Sequence, residues 1–164
     1  MRAFFCLLVS VLLNNYIFSQ TELDMLVLKK INEHRVSNGL DELQFLSVGF
    51  DAAEHHSNYL AEIKDVRHDE DNYKTSSPTR RLGYYGSGYT GWVGENCADT
   101  EDRNKSIDYQ ATDIFNLWLN SPKHNANMLN KNFKYGAVSC VKYSGVFSDG
   151  EEYKRIVATF IAWN

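Results

Sequence analysis

Two apolar segments in the last third of the chain constrain its fold more than any other feature. Residues 135–143 read YGAVSCVKY and residues 155–163 read RIVATFIAW, and both are rich in the β-branched and aromatic residues that favour strands. The residues between them include Asp149-Gly150, a pair typical of a tight turn. We therefore predict two strands joined by a turn, and a third, shorter strand at residues 92–98, which read WVGENCA.

Three segments upstream of the two long strands have the capping residues and apolar spacing of helices. The first begins after Thr21, a preferred N-cap, and Asp24 three residues later makes an approximate capping box. Gly39 is a typical residue just beyond a helix C-terminus, so this helix is expected to end before it. Ser47 and Ser106 are expected to cap the second and third helices, because apolar residues at helical spacing follow each of them.

A fourth, short helix is predicted in the stretch WLNSPKHNANMLN at residues 118–130. Ser121 is a preferred N-cap and Pro122 suits the first helical position, which makes His124 the third helical residue. The positive end of the helix dipole disfavours an imidazolium there and keeps the ring neutral. A neutral imidazole suits a metal ligand or a proton acceptor, and it equally suits a buried, hydrogen-bonded histidine.

Residues 65–91 lack a regular apolar period and are rich in glycine and tyrosine. We expect a long surface segment there, with one helical turn after Ser77-Pro78. A segment of this length in a compact domain more often has a function or is mobile than serves only as a connection.

The N-terminal residues 1–19 have the pattern of a secretory signal peptide. Arg2 precedes a long apolar run, and small Ser19 precedes a polar boundary, so we predict cleavage after Ser19 and export to an extracellular or periplasmic space. Residues 20–164 then form a single domain, with no membrane span in the mature chain. The formal net charge of −4 argues against nucleic acid as a partner.

Two cysteines, Cys97 and Cys140, remain in this predicted mature domain. An even number of cysteines in an exported protein suggests a disulfide. Two buried free thiols are the alternative that the residues leave open.

The five histidines differ in their expected roles. His34 stands near the end of the first helix, where a cation suits the dipole, so a structural role is expected. His56 lies on the apolar face of the second helix and is predicted to be a packed, hydrogen-bonded core residue, whereas His55 is expected to face solvent. His68 and His124 stand at the ends of elements, from which side chains can line a cleft.

Glu95, in the predicted strand WVGENCA, is the carboxylate that such a cleft would need. A carboxylate orients imidazoles or serves as a base beside a metal, and two histidines with one carboxylate can hold a zinc-like ion with an open position. Ser121, His124 and Glu95 also have the residue types of a catalytic triad. No Gly-x-Ser-x-Gly motif supports that triad, and Ser121 is better explained as an N-cap.

Three stretches together resemble one family. They are INEHRVSNGL at residues 31–40, VGENCA at residues 93–98 and WLNSPKHNANML at residues 118–129. They are similar to the CAP superfamily, which includes cysteine-rich secretory proteins, antigen 5 and plant pathogenesis-related proteins. The third stretch resembles the compact bacterial members of that superfamily. The likeness covers nearly the whole predicted mature chain.

The resemblance implies an α+β fold, a three-layer α-β-α sandwich with a small central antiparallel sheet. It also implies a cleft lined by two histidines and two glutamates. His68 and His124 match the histidines, and Glu95 matches one glutamate. Ser121 stands where the second glutamate is expected, three residues after Trp118. The cleft is therefore expected to contain His68, Glu95, Ser121 and His124.

For function, the resemblance implies a secreted, non-enzymatic binding module. We expect its cleft to hold a divalent metal such as zinc through His68 and His124, or else a small ligand with no cofactor. The alternatives are a peptidase-like or esterase-like hydrolase that uses His124 with Glu95, and a lipid- or sterol-binding protein. Its partner is expected to be a protein or a small apolar ligand. Strands lying side by side in such a sheet also imply a disulfide between Cys97 and Cys140.

Overall fold

A computed structural model describes residues 20–102 and 104–164; the predicted signal peptide lies outside these ranges. The described chain forms five α-helices and three strands: α1 (Glu22–Ser37), α2 (Ser47–Ile63), α3 (Pro78–Leu82), β1 (Gly94–Glu101), α4 (Ile107–Leu119), α5 (Pro122–Met128), β2 (Tyr135–Val146) and β3 (Glu152–Trp163). A π-helical turn, Gly83–Ser87, follows α3 directly. Within the described ranges, no helix has both the length and the apolar character that a membrane span needs.

The three strands form one antiparallel sheet in the order β1-β3-β2. Thr159 of β3 pairs with Cys97 of β1 on one side and with Ser139 of β2 on the other. The two long strands run further toward their connecting turn than predicted, and β1 begins and ends later than residues 92–98. The turn contains Gly150 at φ +91°, a left-handed conformation that glycine adopts without steric cost.

Helices cover both faces of this sheet, which confirms the predicted α+β class. On one face α1 and α4 pack against the sheet through a large apolar cluster that includes Val27, Ile31, Ile114, Trp118 and Phe160. On the opposite face α2 and α3 contribute a second cluster that includes Phe50, Ala53, Leu82, Ile161 and Trp163. Alternate side chains of each strand therefore point into different cores.

The helix starts follow the predicted caps closely. Thr21 and Asp24 form a full capping box at α1, and the Ser106 hydroxyl accepts the backbone N–H of Tyr109 at α4. Ser47 is instead the first residue of α2, because the extended Leu46 takes the N-cap position without a side-chain hydrogen bond. Ser121 is the N-cap of α5, as predicted, but its side chain makes no capping hydrogen bond.

The predicted disulfide between Cys97 and Cys140 is wrong: both residues are free thiols. The expectation assumed that their strands are neighbours, whereas β3 lies between β1 and β2. Cys97 pairs with Thr159 and Cys140 with Ala158. Because consecutive residues of β3 point to opposite faces, the two cysteines also point to opposite faces of the sheet. The alternative of two free thiols is the one that the structure has.

Arg35, near the end of α1, joins two segments on the α1 side of the molecule. Its side chain is buried, and its guanidinium donates to four backbone carbonyls, those of Asp41, Met128, Asn130 and Phe133. The first carbonyl belongs to the loop after α1 and the others to the end of α5 and the loop that follows it, so a single buried side chain supplies hydrogen bonds to both segments.

Candidate functional site

The site begins with a contact between His68, in the loop after α2, and Glu95, the second residue of β1. His68 Nδ1 lies 2.9 Å from Glu95 Oε1. An ionised carboxylate can only accept, so Nδ1 carries the proton and the lone pair of the neutral ring is on Nε2. The His68 side chain is 54% exposed, whereas that of Glu95 is 2% exposed. The carboxylate is therefore a buried anchor for a solvent-accessible imidazole.

Arg81 of α3 holds Glu95 from the opposite side. Its Nη2 group lies 2.6 Å from Glu95 Oε2 and 3.0 Å from the backbone oxygen of His68. Its Nη1 group lies 2.9 Å from the backbone oxygen of Thr75, and the whole side chain is buried. One guanidinium therefore fixes both members of the His68–Glu95 pair.

A second buried carboxylate, Glu70, extends this network away from the cleft. Glu70 Oε1 lies 2.7 Å from His56 Nδ1 and 3.2 Å from Arg81 Nη1, and its Oε2 lies 3.0 Å from His55 Nε2. Burial raises the pKa of Glu70, but hydrogen bonds from His56 and Thr75 and the charge of Arg81 outweigh it and bring the pKa to about 2. Glu70 is therefore ionised in the folded protein.

His56 completes the charge balance of the network. Its Nδ1 faces the Glu70 carboxylate, and its Nε2 lies 2.9 Å from the backbone oxygen of Arg67. Both partners are acceptors, so both ring nitrogens donate, which describes an imidazolium. The buried cluster then pairs two cations, His56 and Arg81, with two anions, Glu70 and Glu95. Full pairing is what makes buried charges tolerable.

Helix α5 brings His124 to the same place through two asparagines. The Asn96 side chain donates to the backbone oxygen of His124 at 2.9 Å, and the Asn127 side chain donates to Asn96 Oδ1 and to the backbone oxygen of Glu95. Burial and the charge of His68 lower the pKa of His124. The two imidazoles are thus electrostatic neighbours, and His124 is neutral at pH 7.

The pKa values of His68 and His124 are shifted in opposite directions. The hydrogen bond to Glu95 raises the pKa of His68, against the smaller opposing effect of burial. Cys97 Sγ lies 3.9 Å from His68 Nδ1, and burial raises the pKa of this thiol well above its usual range. Cys97 is therefore a protonated neighbour of the cleft and not a nucleophile.

The structure thus brings His68 and Glu95 into contact and ties the backbone of His124 to Asn96, the residue after Glu95, while Ser121 is the N-cap of α5. His56 is fully buried, as predicted. His34 is half-buried and bonded to Asn125. His55, expected to face solvent, is instead bonded to Glu70 and to the Tyr85 hydroxyl.

Sequence reasoning missed Glu70, Arg81 and the link through His56. The stretch RHDED looks like a solvated acidic surface, and it hides one fully buried carboxylate. The only sequence signal was the position of Arg81 inside a helical turn that Ser77-Pro78 indicates.

Two groups of side chains differ in their fit to a divalent metal. The buried group of His56, Glu95 and Cys97 has ligand atoms within 4.8 Å of one another, but both nitrogens of His56 and both oxygens of Glu95 already have hydrogen-bond partners. The His68 ring, by contrast, is 54% exposed, and a carboxylate orients it through Nδ1, an arrangement typical of a ligating histidine. His68 therefore fits a metal ion better than the buried group does.

Comparison with known proteins identifies the family. A family profile described as CAP, the cysteine-rich secretory protein family, matches residues 28–160. This chain belongs to the CAP family. The match spans His68, Glu95 and His124, and the predicted recognition is confirmed.

Two solved structures have folds similar to this one. An outer surface protein of Borrelia burgdorferi has 20% sequence identity and a TM-score of 0.60, over 89% of this chain and 97% of that chain. An extracellular protein of Bacillus anthracis that contains an SCP domain has 22% identity and a TM-score of 0.58, over 85% of this chain but only 40% of its own. At these identities the likeness concerns the fold alone. No curated protein sequence matched this chain.

Proposed function

We propose that this CAP-domain protein is a secreted, non-enzymatic binding module whose cleft holds a divalent metal ion such as zinc through His68 and His124. The observation that carries the proposal is the His68–Glu95 contact, which directs the Nε2 lone pair of an exposed imidazole away from its buried anchor. Carboxylates support metal-ligating histidines in the same way in known sites.

His124 supplies the second nitrogen because its lowered pKa keeps the ring neutral. Glu95 is not available as a third ligand, since Arg81 and His68 occupy its two oxygens. Two protein ligands leave further coordination positions for water or for a group of a bound ligand. When bound, the ion would supply a Lewis-acid centre that polarises such a group.

The hydrolase alternative has less support. A triad needs the carboxylate to orient the catalytic imidazole, but Glu95 is bonded to His68 and not to His124. Among the described residues, neither ring nitrogen of His124 has a hydrogen-bonded carboxylate. We therefore favour binding over catalysis.

Secretion is supported by the basic and apolar pattern of residues 1–19. The two similar structures come from an outer surface protein and an extracellular protein. N-terminal sequencing of the exported protein should find Gln20 as its first residue. An intact Met1 on the exported protein would contradict cleavage after Ser19.

Zinc titration by calorimetry tests the metal site. Wild type should release or absorb heat with a stoichiometry of one, and a His68→Ala/His124→Ala variant should not. A His34→Gln variant is the control, because His34 lies outside the cleft and glutamine can keep a bond to Asn125. Binding should weaken as the pH falls, since protons compete for both rings.

The outcomes separate the two functions. Heat from wild type and from the His34→Gln variant, with none from the His68→Ala/His124→Ala variant, supports the metal site. Absence of heat from wild type overturns it. Hydrolysis of a peptide or ester library that the His68→Ala/His124→Ala variant abolishes would instead establish an enzyme.

A further inference from the structure

A cavity of about 460 Å³ lies along α2, away from the cleft. It is lined by Asp51, Glu54, His55, Asn58 and Tyr85. The first four residues have helical spacing, so their side chains share one face of α2, and Tyr85 comes from the π-helical turn after α3. The volume falls within the roughly 300–1,000 Å³ typical of small-molecule sites. We call it the α2 cavity.

Hydrogen bonds behind the α2 cavity leave mainly acceptors facing it. Buried Glu70 fixes the proton of His55 on Nε2, so Nδ1 of the neutral ring accepts the Tyr85 hydroxyl proton at 2.9 Å. The Tyr85 oxygen keeps its lone pairs. The side-chain nitrogen of Asn58 donates to the backbone oxygen of Glu54, and among the described residues no donor is bonded to the amide oxygen of Asn58.

The α2 cavity is also negatively charged and lacks a cation among its lining residues. Within the described ranges, neither Asp51 nor Glu54 has an ion-pair partner. Burial raises the pKa of Asp51, and burial together with the charges of Asp51 and Asp24 raises the pKa of Glu54. Burial and nearby negative groups likewise raise the pKa of Tyr85. A cation would relieve all three unfavourable interactions.

The spacing of the acidic groups excludes a bare metal ion as the best occupant. In the described part of the chain, the ligand atoms of Asp51, Glu54 and His55 do not form a group within 4.8 Å, whereas those of His56, Glu95 and Cys97 do. A larger cation with N–H donors at several positions can reach separated acceptors. Its alkyl part would lie near the Tyr85 ring, whose face also attracts cations.

We propose that the α2 cavity is a second binding site, which takes a small organic cation with several N–H donors, an alkylammonium or guanidinium group. Each N–H would form a charge-assisted hydrogen bond with Asp51, Glu54 or the oxygen of Asn58 or Tyr85. This site is separate from the proposed metal cleft and does not depend on it.

Titration with two probes tests the site on the full mature chain. Agmatine represents a free organic cation, and acetyl-arginine-amide represents the side chain of a peptide. An Asp51→Asn/Glu54→Gln variant keeps the shape of the cavity and removes its charge, so it should bind at least about tenfold more weakly. An Asp108→Asn/Asp149→Asn variant removes the same charge from exposed positions and should bind as wild type does.

The outcomes are distinct from those of the zinc experiment. Saturable binding of either probe, with NMR shifts centred on Tyr85 and His55 and retained in the His68→Ala/His124→Ala variant, supports the proposal. The probe that binds more tightly shows whether the natural cation is a free molecule or the side chain of a peptide. Absence of binding tighter than about 1 mM for both probes, or equal binding by the Asp51→Asn/Glu54→Gln variant, would overturn it.

Discussion

The two buried arginines of this protein have opposite kinds of partner. Arg35, on the α1 side of the molecule, donates to neutral backbone carbonyls. Arg81, on the α2 side, donates to carbonyls and also to the carboxylates of Glu70 and Glu95. Both side chains are almost completely buried. The same residue type therefore joins loops in one region and compensates charge in the other.

This difference distinguishes a scaffold from a site. Burial lowers the pKa of the Arg35 guanidinium and the charge of Asp41 opposes that effect, but the hydrogen bonds of Arg35 lead to no titratable side chain in the described part of the chain. Around Arg81 every charge has a counter-charge. His68 lies at the edge of this network, and its hydrogen bond to Glu95 raises its pKa. A region of coupled charges can adjust the proton affinity of an exposed imidazole, which a network of carbonyls cannot do.

The largest expected effect is that of Arg81→Met. Removing one partner of a buried ion pair leaves an uncompensated charge and costs about 3–5 kcal/mol of unfolding free energy, which urea denaturation will measure. Adding Glu95→Gln should restore part of that loss, since it removes one stranded anion. An Arg81→Met variant as stable as wild type would contradict the charge-balanced network.

Arg35→Met should destabilise by a smaller amount, about 2–3 kcal/mol, because four carbonyls lose a charged donor but no charge is stranded. The same urea experiment measures it. Here Glu95→Gln should give no rescue, and the two effects should add within about 0.5 kcal/mol. If Glu95→Gln rescued Arg35→Met as much as it rescues Arg81→Met, the two regions would be energetically coupled.

Asp24→Ala should cost about 1–2 kcal/mol. The Asp24 carboxylate accepts the backbone N–H of Thr21 at α1 and that of Cys140 on β2, and both donors would lose their partner. Thermal unfolding measures the loss. The His68 pKa, followed by NMR, should not change in this variant, because Asp24 belongs to the scaffold. A shifted His68 titration would contradict that separation.

The smallest effect is the pH dependence due to His68. Its pKa is raised in the folded protein, so its stabilising contribution is complete below the unfolded value of about 6.5 and disappears as the pH rises through the folded value. The stability difference between wild type and His68→Gln should therefore be larger at low pH. Since the ring is half exposed, it should stay below about 1 kcal/mol.

The parts of the fold that could be predicted depend on neighbours in sequence. Caps and apolar spacing identified α1 and α4, because a helix start is decided within three or four residues. The strands were identified by composition, but their order was not, because pairing depends on contacts between distant residues. The failed disulfide between Cys97 and Cys140 has this cause: a third strand separates the two.

The residues of the candidate site also differ in whether the sequence alone could identify them. Resemblance to the CAP family identified His68, Glu95 and His124; Glu95 and His124 stand in recognisable stretches, and His68 was matched to the family's first histidine without one. Glu70 and Arg81 have no local signature, since a charged residue that is buried in the fold looks like any surface residue in the sequence. Only the three-dimensional contact shows that Arg81 satisfies two carboxylates from different segments.

The central position of β3 has a consequence for the order of folding. The strand that pairs with both others is the last of the three to be synthesised, so neither β1 nor β2 has a partner until it arrives. During synthesis, the growing polypeptide therefore cannot complete its sheet until β3, the last element of the fold, has been made.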